Sequence, residues 1–324
     1  MTGATESRGH VVNPQWPVTS RQSLNALGIL VLLLLSVAAA AQEQDAGQPF
    51  KVDVRLVNVF TSVTDPKGGP VPGLQKSNFQ LLEDGKPQEI RIFQKESSVP
   101  LNIVLEIDTS LSTRKDLHLE LEAAKQFVHA TVRPSTDRLA VFTVSETVSE
   151  VVPFTGDLKR IDRGITNIRN GAATALFDAL QLGSEALHER DGRKVIVLIT
   201  DGGDTISQTS YQSALRAALE AEAIVYSIIV VPIESDAGRN IGGEHALIQA
   251  SDDTGGRYYY AKDIQQIQKA FAQISDELRT QYLLAYYPSR KLSDSAFRRI
   301  EIKVTDVPDA DKLKAHYRTG YYTR

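Results

Sequence analysis

The pattern of apolar and polar positions changes character twice along the chain and divides it into three stretches. In the first, residues 51–64 alternate (Val52, Val54 and Leu56, then Val57 and Val59, with Phe60 and Val63 beyond), which predicts one long strand, bulged where the phase slips. Asp65-Pro66-Lys67-Gly68-Gly69-Pro70 reads as a turn. Short strands follow at 79–82 and 90–93, joined by Glu83-Asp84-Gly85-Lys86-Pro87. Strands this short, separated by Gly and Pro, predict a small antiparallel β unit.

From Val99 onward strands alternate with helices. Apolar runs predict strands at 101–107, 139–144, 148–152, 195–200 and 224–231, with another at 257–261. Apolar residues at helical spacing predict helices over 115–131, 174–188, 211–222, 244–251 and 263–280. Continuous apolar strands between amphipathic helices imply a mostly parallel sheet covered on both faces, a doubly wound α/β fold. Past Thr280 the pattern returns to β at 282–287, 297–304 and 314–322, with no helices between. The simplest arrangement pairs the segment 281–324 with the segment 50–98, so that the α/β domain of residues 99–280 is inserted in a small flanking β-rich domain.

Residues 24–41 carry no charge, follow Arg8 and Arg21, and end in Ala39-Ala40-Ala41. Residues 1–41 therefore read as a secretory signal, or as an uncleaved anchor, since 24–41 is just long enough to span a bilayer. A polar linker, 42–49, follows. Either reading exports the protein to the periplasm, the cell surface or the medium, with an inner-membrane anchor if 24–41 is retained; a membrane is a partner only in that case. The chain has no cysteine, which excludes disulfides and thiolate chemistry and suits a bacterial envelope. Its formal net charge is −4, without a Lys/Arg cluster, which argues against nucleic acid as a partner.

The chemistry of the chain gathers at the ends of two strands. Asp108-Thr109-Ser110-Leu111-Ser112 follows the first α/β strand, and alternate positions there point a carboxylate and two hydroxyls toward one spot. Hard divalent cations take such oxygen ligands. Taken alone, the same residues also suit the cap of the next helix. The strand at 195–200 ends in Asp201-Gly202-Gly203-Asp204, and the small-residue loop Gly171-Ala172-Ala173 delivers Thr174 without bulk. If the two strands are neighbours at the point where strand order reverses, Asp108 and Asp201 face one another across a crevice. Two carboxylates so placed repel unless a cation or a proton lies between them.

This combination, D-x-S-x-S, a Thr before the helix that begins Thr174-Ala175-Leu176-Phe177-Asp178, and an Asp-Gly after an apolar strand, resembles the von Willebrand factor type A domain over about residues 101–280. Gly255-Gly256-Arg257-Tyr258-Tyr259-Tyr260 is similar to the final strand of that family. Val71-Pro72-Gly73-Leu74, the stretch from Phe79 through Gln88 and the stretch from Gln281 to Pro288 resemble the exported bacterial proteins called VWFA-related, abundant in acidobacteria. The resemblance implies a metal-ion-dependent adhesion site holding Mg²⁺ or Mn²⁺. Ser110 and Ser112 would contact the ion directly, Thr174 directly or through water, and Asp108 and Asp201 mostly through waters. It also implies a protein partner with an exposed Asp or Glu that completes the ion's shell. Leu111 stands where bacterial relatives commonly have Gly. Asp178, one turn after Thr174, and Asp204 are candidates for orienting partners, and Ser207 reads as the cap of the helix that starts at Tyr211.

No phosphate-binding G-x-x-x-x-G-K-[ST], G-x-S-x-G or H-E-x-x-H sequence occurs, and His118, His129, His188, His245 and His316 are scattered. A Mg²⁺-dependent hydrolase would need more direct carboxylates and a nucleophile or base. The reading is therefore a non-enzymatic, metal-dependent binding module. The alternative is a structural envelope protein in which the metal stiffens the loops.

Overall fold

The computed structural model describes residues 56–95, 99–110, 117–231, 241–290 and 296–323. The expected leader and linker, residues 51–55 of the strand read over 51–64, and Leu111 and Ser112 lie outside them. The chain opens with β1 (Val57–Thr64), β2 (Phe79–Glu83), β3 (Lys86–Gln88) and β4 (Ile90–Lys95). The α/β part runs β5 (Leu101–Asp108), α1 (Leu117–Thr131), β6 (Arg138–Val144), β7 (Val148–Thr155), α2 (Leu158–Thr166), α3 (Leu176–His188), β8 (Arg193–Thr200), α4 (Tyr211–Ala221), β9 (Ala223–Val230), α5 (Ile241–Thr254), β10 (Tyr258–Ala261) and α6 (Ile264–Thr280). Then come β11 (Tyr282–Tyr286), β12 (Phe297–Val304), β13 (Lys314–His316) and β14 (Gly320–Tyr322).

The central sheet has the order β10-β9-β8-β5-β6-β7. All its pairings are parallel except β6 with β7. Every residue of β5 is buried, as expected of a largely apolar strand covered on both faces, and Asn102, Glu106 and Asp108 are its polar members. Alternate side chains enter different layers. Ile103, Leu105 and Ile107 pack with Leu121 and Phe127 of α1 and Phe271 and Ile274 of α6. Val104 packs with Leu180 of α3 and Ala214 of α4. Each such aliphatic side chain contributes about 1.5–3 kcal/mol on burial. The chain leaves β5 toward β6 and returns on the other side at β8, so the order reverses between β5 and β8. That is where a ligand crevice forms in this architecture.

One helix, α2, was not anticipated from the sequence, although Leu158, Ile161 and Ile165 recur at helical spacing. In α2 only Ile161 and Ile165 are buried, and Gly164 interrupts it. The glycine is required by packing, because a Cβ there would lie 2.0 Å from Val152 Cγ2 of β7. Asp157 starts the helix by accepting from the backbone N–H groups of Lys159 and Arg160 at 3.0 and 3.2 Å.

A second interior glycine meets a charge-bearing side chain. Glu106 of β5 is fully buried, and among the described residues neither of its carboxyl oxygens has a hydrogen-bond partner. Burial pushes its carboxyl up to about 8. A Cβ on Gly183 of α3 would lie 2.2 Å from Glu106 Oε1. Ala is worth about 1 kcal/mol more than Gly inside a helix, yet Gly183→Ala is expected to destabilise by about 1–3 kcal/mol through overpacking. In a Glu106→Val background the same substitution should become neutral or stabilising. Urea unfolding of the four members of this cycle checks it; an unchanged cost in both backgrounds would refute the contact.

Strands from the two ends of the chain interleave in two four-stranded sheets, β13-β1-β11-β4 and β14-β12-β2-β3. Their inner faces share one core containing Val59, Phe79, Leu81, Tyr282, Leu284, Ile300 and Ile302, the arrangement of a β-sandwich. The segment read as one strand over 314–322 is two: β13 pairs with β1, whereas β14 crosses to β12 in the other sheet. The sandwich is tied to the α/β part through Glu277 of α6. Its Oε1 accepts from Ser62 Oγ at 2.6 Å and from Tyr226 OH at 2.8 Å, while Oε2 lies 3.3 Å from Arg257 Nη1.

Candidate metal centre

Asp108 ends β5 and Thr200 ends β8, on neighbouring parallel strands in register at Ile107 and Ile199. Asp108 is 1% exposed. Its Oδ1 accepts from the Ser110 backbone N–H at 2.9 Å and its Oδ2 from the Thr200 hydroxyl at 2.7 Å. Thr200 in turn accepts from the Gly202 backbone N–H at 3.0 Å, so one hydroxyl links the Asp108 carboxylate to the loop carrying Asp201. Burial raises the Asp108 carboxyl to about 6; the Thr200 and Ser110 hydrogen bonds pull it back, and the nearby Asp201 charge pushes it further up. Gly202 adopts φ +85°, and a Cβ there would stand 3.0 Å from Glu244 Cγ of α5.

Thr174 lies in the segment before α3 and is buried. Thr109 O accepts from Gly171 N–H at 2.7 Å, and Ala175 N–H donates to Ser145 O at 2.9 Å, which holds this segment against the ends of β5 and β6. Its other side meets the loop after β8. Thr205 N–H donates to Thr174 O at 2.9 Å, and Thr174 N–H donates to Thr205 Oγ1 at 2.9 Å. The structure thus brings Asp108, Ser110, Thr174 and Asp201 to the same end of the sheet, beside the switch point. Ser112, the fifth expected donor, lies outside the described residues.

Asp178 and Asp204 take the roles of clamps. Asp204 Oδ1 accepts from Leu176 N–H at 2.9 Å and from Ser207 Oγ at 2.5 Å. The Asp178 carboxylate accepts from Gln208 N–H at 3.1 Å and Thr209 N–H at 2.8 Å. Partial burial opposes ionisation of Asp178, but these hydrogen bonds, with one from the Thr209 hydroxyl, win and hold its carboxyl below the usual range. Ser207 corrects its expected role: Ser210 caps α4 by accepting from Ser213 N–H, while Ser207 Oγ accepts from Phe177 and Asp178 N–H of α3 at 3.0 and 3.2 Å. Sequence reasoning also missed Thr200, Thr205 and Glu244. For the two threonines the signal was a hydroxyl on each side of Asp201-Gly202-Gly203-Asp204; for Glu244 nothing short of the fold indicated its approach to Gly202.

The donor set fits a hard cation: carboxylate and hydroxyl oxygens, no sulfur, no imidazole, and two carboxylates whose repulsion a positive ion relieves. Among the described residues no three His, Cys, Asp or Glu side chains converge on one point, and the expected set contains only two carboxylates.

Fold and site together define an α/β module whose candidate site lies at the carboxyl ends of β5 and β8. Residues 103–203, a span that includes all five expected donors, match the von Willebrand factor type A domain. Solved structures similar to the chain include a von Willebrand factor type A protein from Catenulispora acidiphila, at 11% identity over 85% of this chain and 74% of that one, TM-score 0.48. BatB from Bacteroides thetaiotaomicron is similar at 18% identity over 55% of this chain and 98% of its own, TM-score 0.45. Proximal thread matrix protein 1 of the mussel byssus is similar at 15% identity over 61% and 51%, TM-score 0.49. No curated protein matches.

Proposed function

We propose that this chain is an exported protein-binding module of the VWFA-related type, not an enzyme, holding Mg²⁺ or Mn²⁺ at the carboxyl ends of β5 and β8. The observation that carries the reading is the placement of buried Asp108 at the end of β5 and of Asp201 directly after the neighbouring strand β8, close enough that the Asp201 charge raises the Asp108 carboxyl. Ser110, Ser112, Thr174, Asp108 and Asp201 would hold the ion, directly or through water. Bound there, the ion supplies a positive charge that accepts a carboxylate oxygen from an Asp or Glu of the partner protein. The chain's own contribution is to present hydroxyls rather than charged ligands, which leaves the ion short of negative charge. Thr200 and the Ser110 amide keep the Asp108 carboxylate oriented without a competing cation.

Mg²⁺ at one hundred times its Kd is expected to stabilise residues 42–324 by about 2.7 kcal/mol. Asp201→Ala should remove that increment while leaving the protein in EDTA as stable as the parent, because a repelling charge has been taken away. Melting curves with and without Mg²⁺ decide this, and no shift in the parent chain would sink the metal. Capture of an envelope protein on immobilised chain should be lost in EDTA and in Asp108→Ala. Capture that survives both would sink the adhesion reading.

A further inference from the structure

The two segments that carry Thr174 and Asp201 satisfy each other's backbone. Helix α3 is preceded by Ala175, which has no side chain to cap it. Its first amides are capped instead from across the site: Leu176 N–H by Asp204, and Phe177 and Asp178 N–H by Ser207. Asp178 returns the contact to the amides of Gln208 and Thr209. At the centre is Thr205, whose hydroxyl accepts from Thr174 N–H at 2.9 Å and reaches Thr174 O at 3.2 Å, and whose own N–H donates to that same oxygen at 2.9 Å. Neither segment can shift alone without breaking several of these hydrogen bonds, most of them part-buried.

We propose that Thr205 is the positioning residue of this site: it clamps the backbone of Thr174 and, with Asp204, Ser207 and Asp178, locks the Thr174 and Asp201 segments into one body, so that both donors meet the cation as a preset pair. The proposal rests on the metal reading above. Thr205 does not touch the ion; it acts through Thr174, as groups that orient metal ligands do, and losing such a group typically weakens metal affinity about 10–100-fold.

The test is Mn²⁺ affinity of the full chain, read from the electron paramagnetic resonance signal of free Mn²⁺, with melting in EDTA alongside. Thr205→Val keeps the shape and removes the hydroxyl, and is expected to weaken Mn²⁺ about 10–100-fold. Thr205→Ser keeps the hydroxyl and should restore most of the affinity, a rescue that loss of packing alone would not give. Asp204→Ala opens the clasp from the other side and should weaken Mn²⁺ likewise, whereas Asp204→Asn keeps an acceptor for Leu176 N–H and should bind nearly as the parent does. Parental affinity in either folded Thr205→Val or folded Asp204→Ala overturns the proposal while leaving the metal site standing. A parent chain that binds no Mn²⁺ overturns the metal reading, and the proposal with it.

Discussion

Glu83→Ala is expected to lower stability by about 3–5 kcal/mol, although the residue lies in the small sandwich, away from the switch point. Glu83 of β2 and Arg298 of β12 are both buried, Arg298 at 0% exposure, and their side chains meet at 3.3 Å. The second Glu83 oxygen accepts from Tyr286 OH at 2.7 Å and Tyr321 OH at 2.8 Å. Burial and these bonds to a carboxylate push both phenols well above their ordinary range. Removing the carboxylate takes from the Arg298 guanidinium the charge it meets at 3.3 Å and from two phenols their shared acceptor, in a core otherwise built of Val, Leu, Ile and aromatic rings. Replacing both partners is a different experiment, since the pair repays little more than its own desolvation. Glu83→Met with Arg298→Met should recover most of the loss. Urea unfolding of the two single variants and the double gives the coupling; a double variant no better than the singles would show that the tyrosines, not the ion pair, set the cost.

The same core shows where sequence patterning stops being informative. In β12 the alternation of Ile300, Ile302 and Val304 marked the inner face, and Arg298 sits in phase with it, so an inward arginine was in principle readable. A charged residue in an apolar register looks like an outward one until its counter-ion, 215 positions away, is known. The doubly wound sheet was legible because a strand covered on both faces is largely apolar, and β5 and β8 follow that apart from Asn102, Glu106 and Asp108 in the one and Arg193, Lys194 and Thr200 at the ends of the other. Helix α2 was passed over because it is short and its apolar row, Leu158, Ile161 and Ile165, is one residue wide with a packing-driven glycine beside it. The chemistry-bearing positions Asp108, Ser110, Thr174 and Asp201 could be chosen from residue type and place at strand ends. What could not be chosen was who holds them. Ser207 pointed by sequence to α4, the helix nearest in the chain, and by structure to α3, because contacts between loops depend on which strands are neighbours.

His316 should make the protein lose about 3 kcal/mol of stability as pH falls from 6.5 to 4. The residue is buried at the edge of a cavity of about 380 Å³ where the sandwich meets the α/β part, shared with Thr64, Asp65, Asp252, Arg257, Lys312 and Lys314. Its Nε2 lies 3.1 Å from Thr64 Oγ1. Burial, then the charges of Arg257 and Lys314, lower its pKa from 6.5 to about 4. Between those values the unfolded chain takes up a proton that the folded chain refuses, so folding stability is complete above 6.5 and drains as pH falls toward 4. The total pH profile will not show this cleanly. Glu106 and Asp108, raised to about 8 and about 6, act with the opposite sign and gain stability over overlapping ranges as they protonate. Asp178, whose carboxyl is held below its ordinary value of 3.8, loses stability only at lower pH. The difference between the parent and His316→Gln cancels those contributions. That difference should be flat above pH 7 and should fall against the parent by about 3 kcal/mol toward pH 4; a flat line throughout would mean that the cavity leaves the imidazole free to protonate.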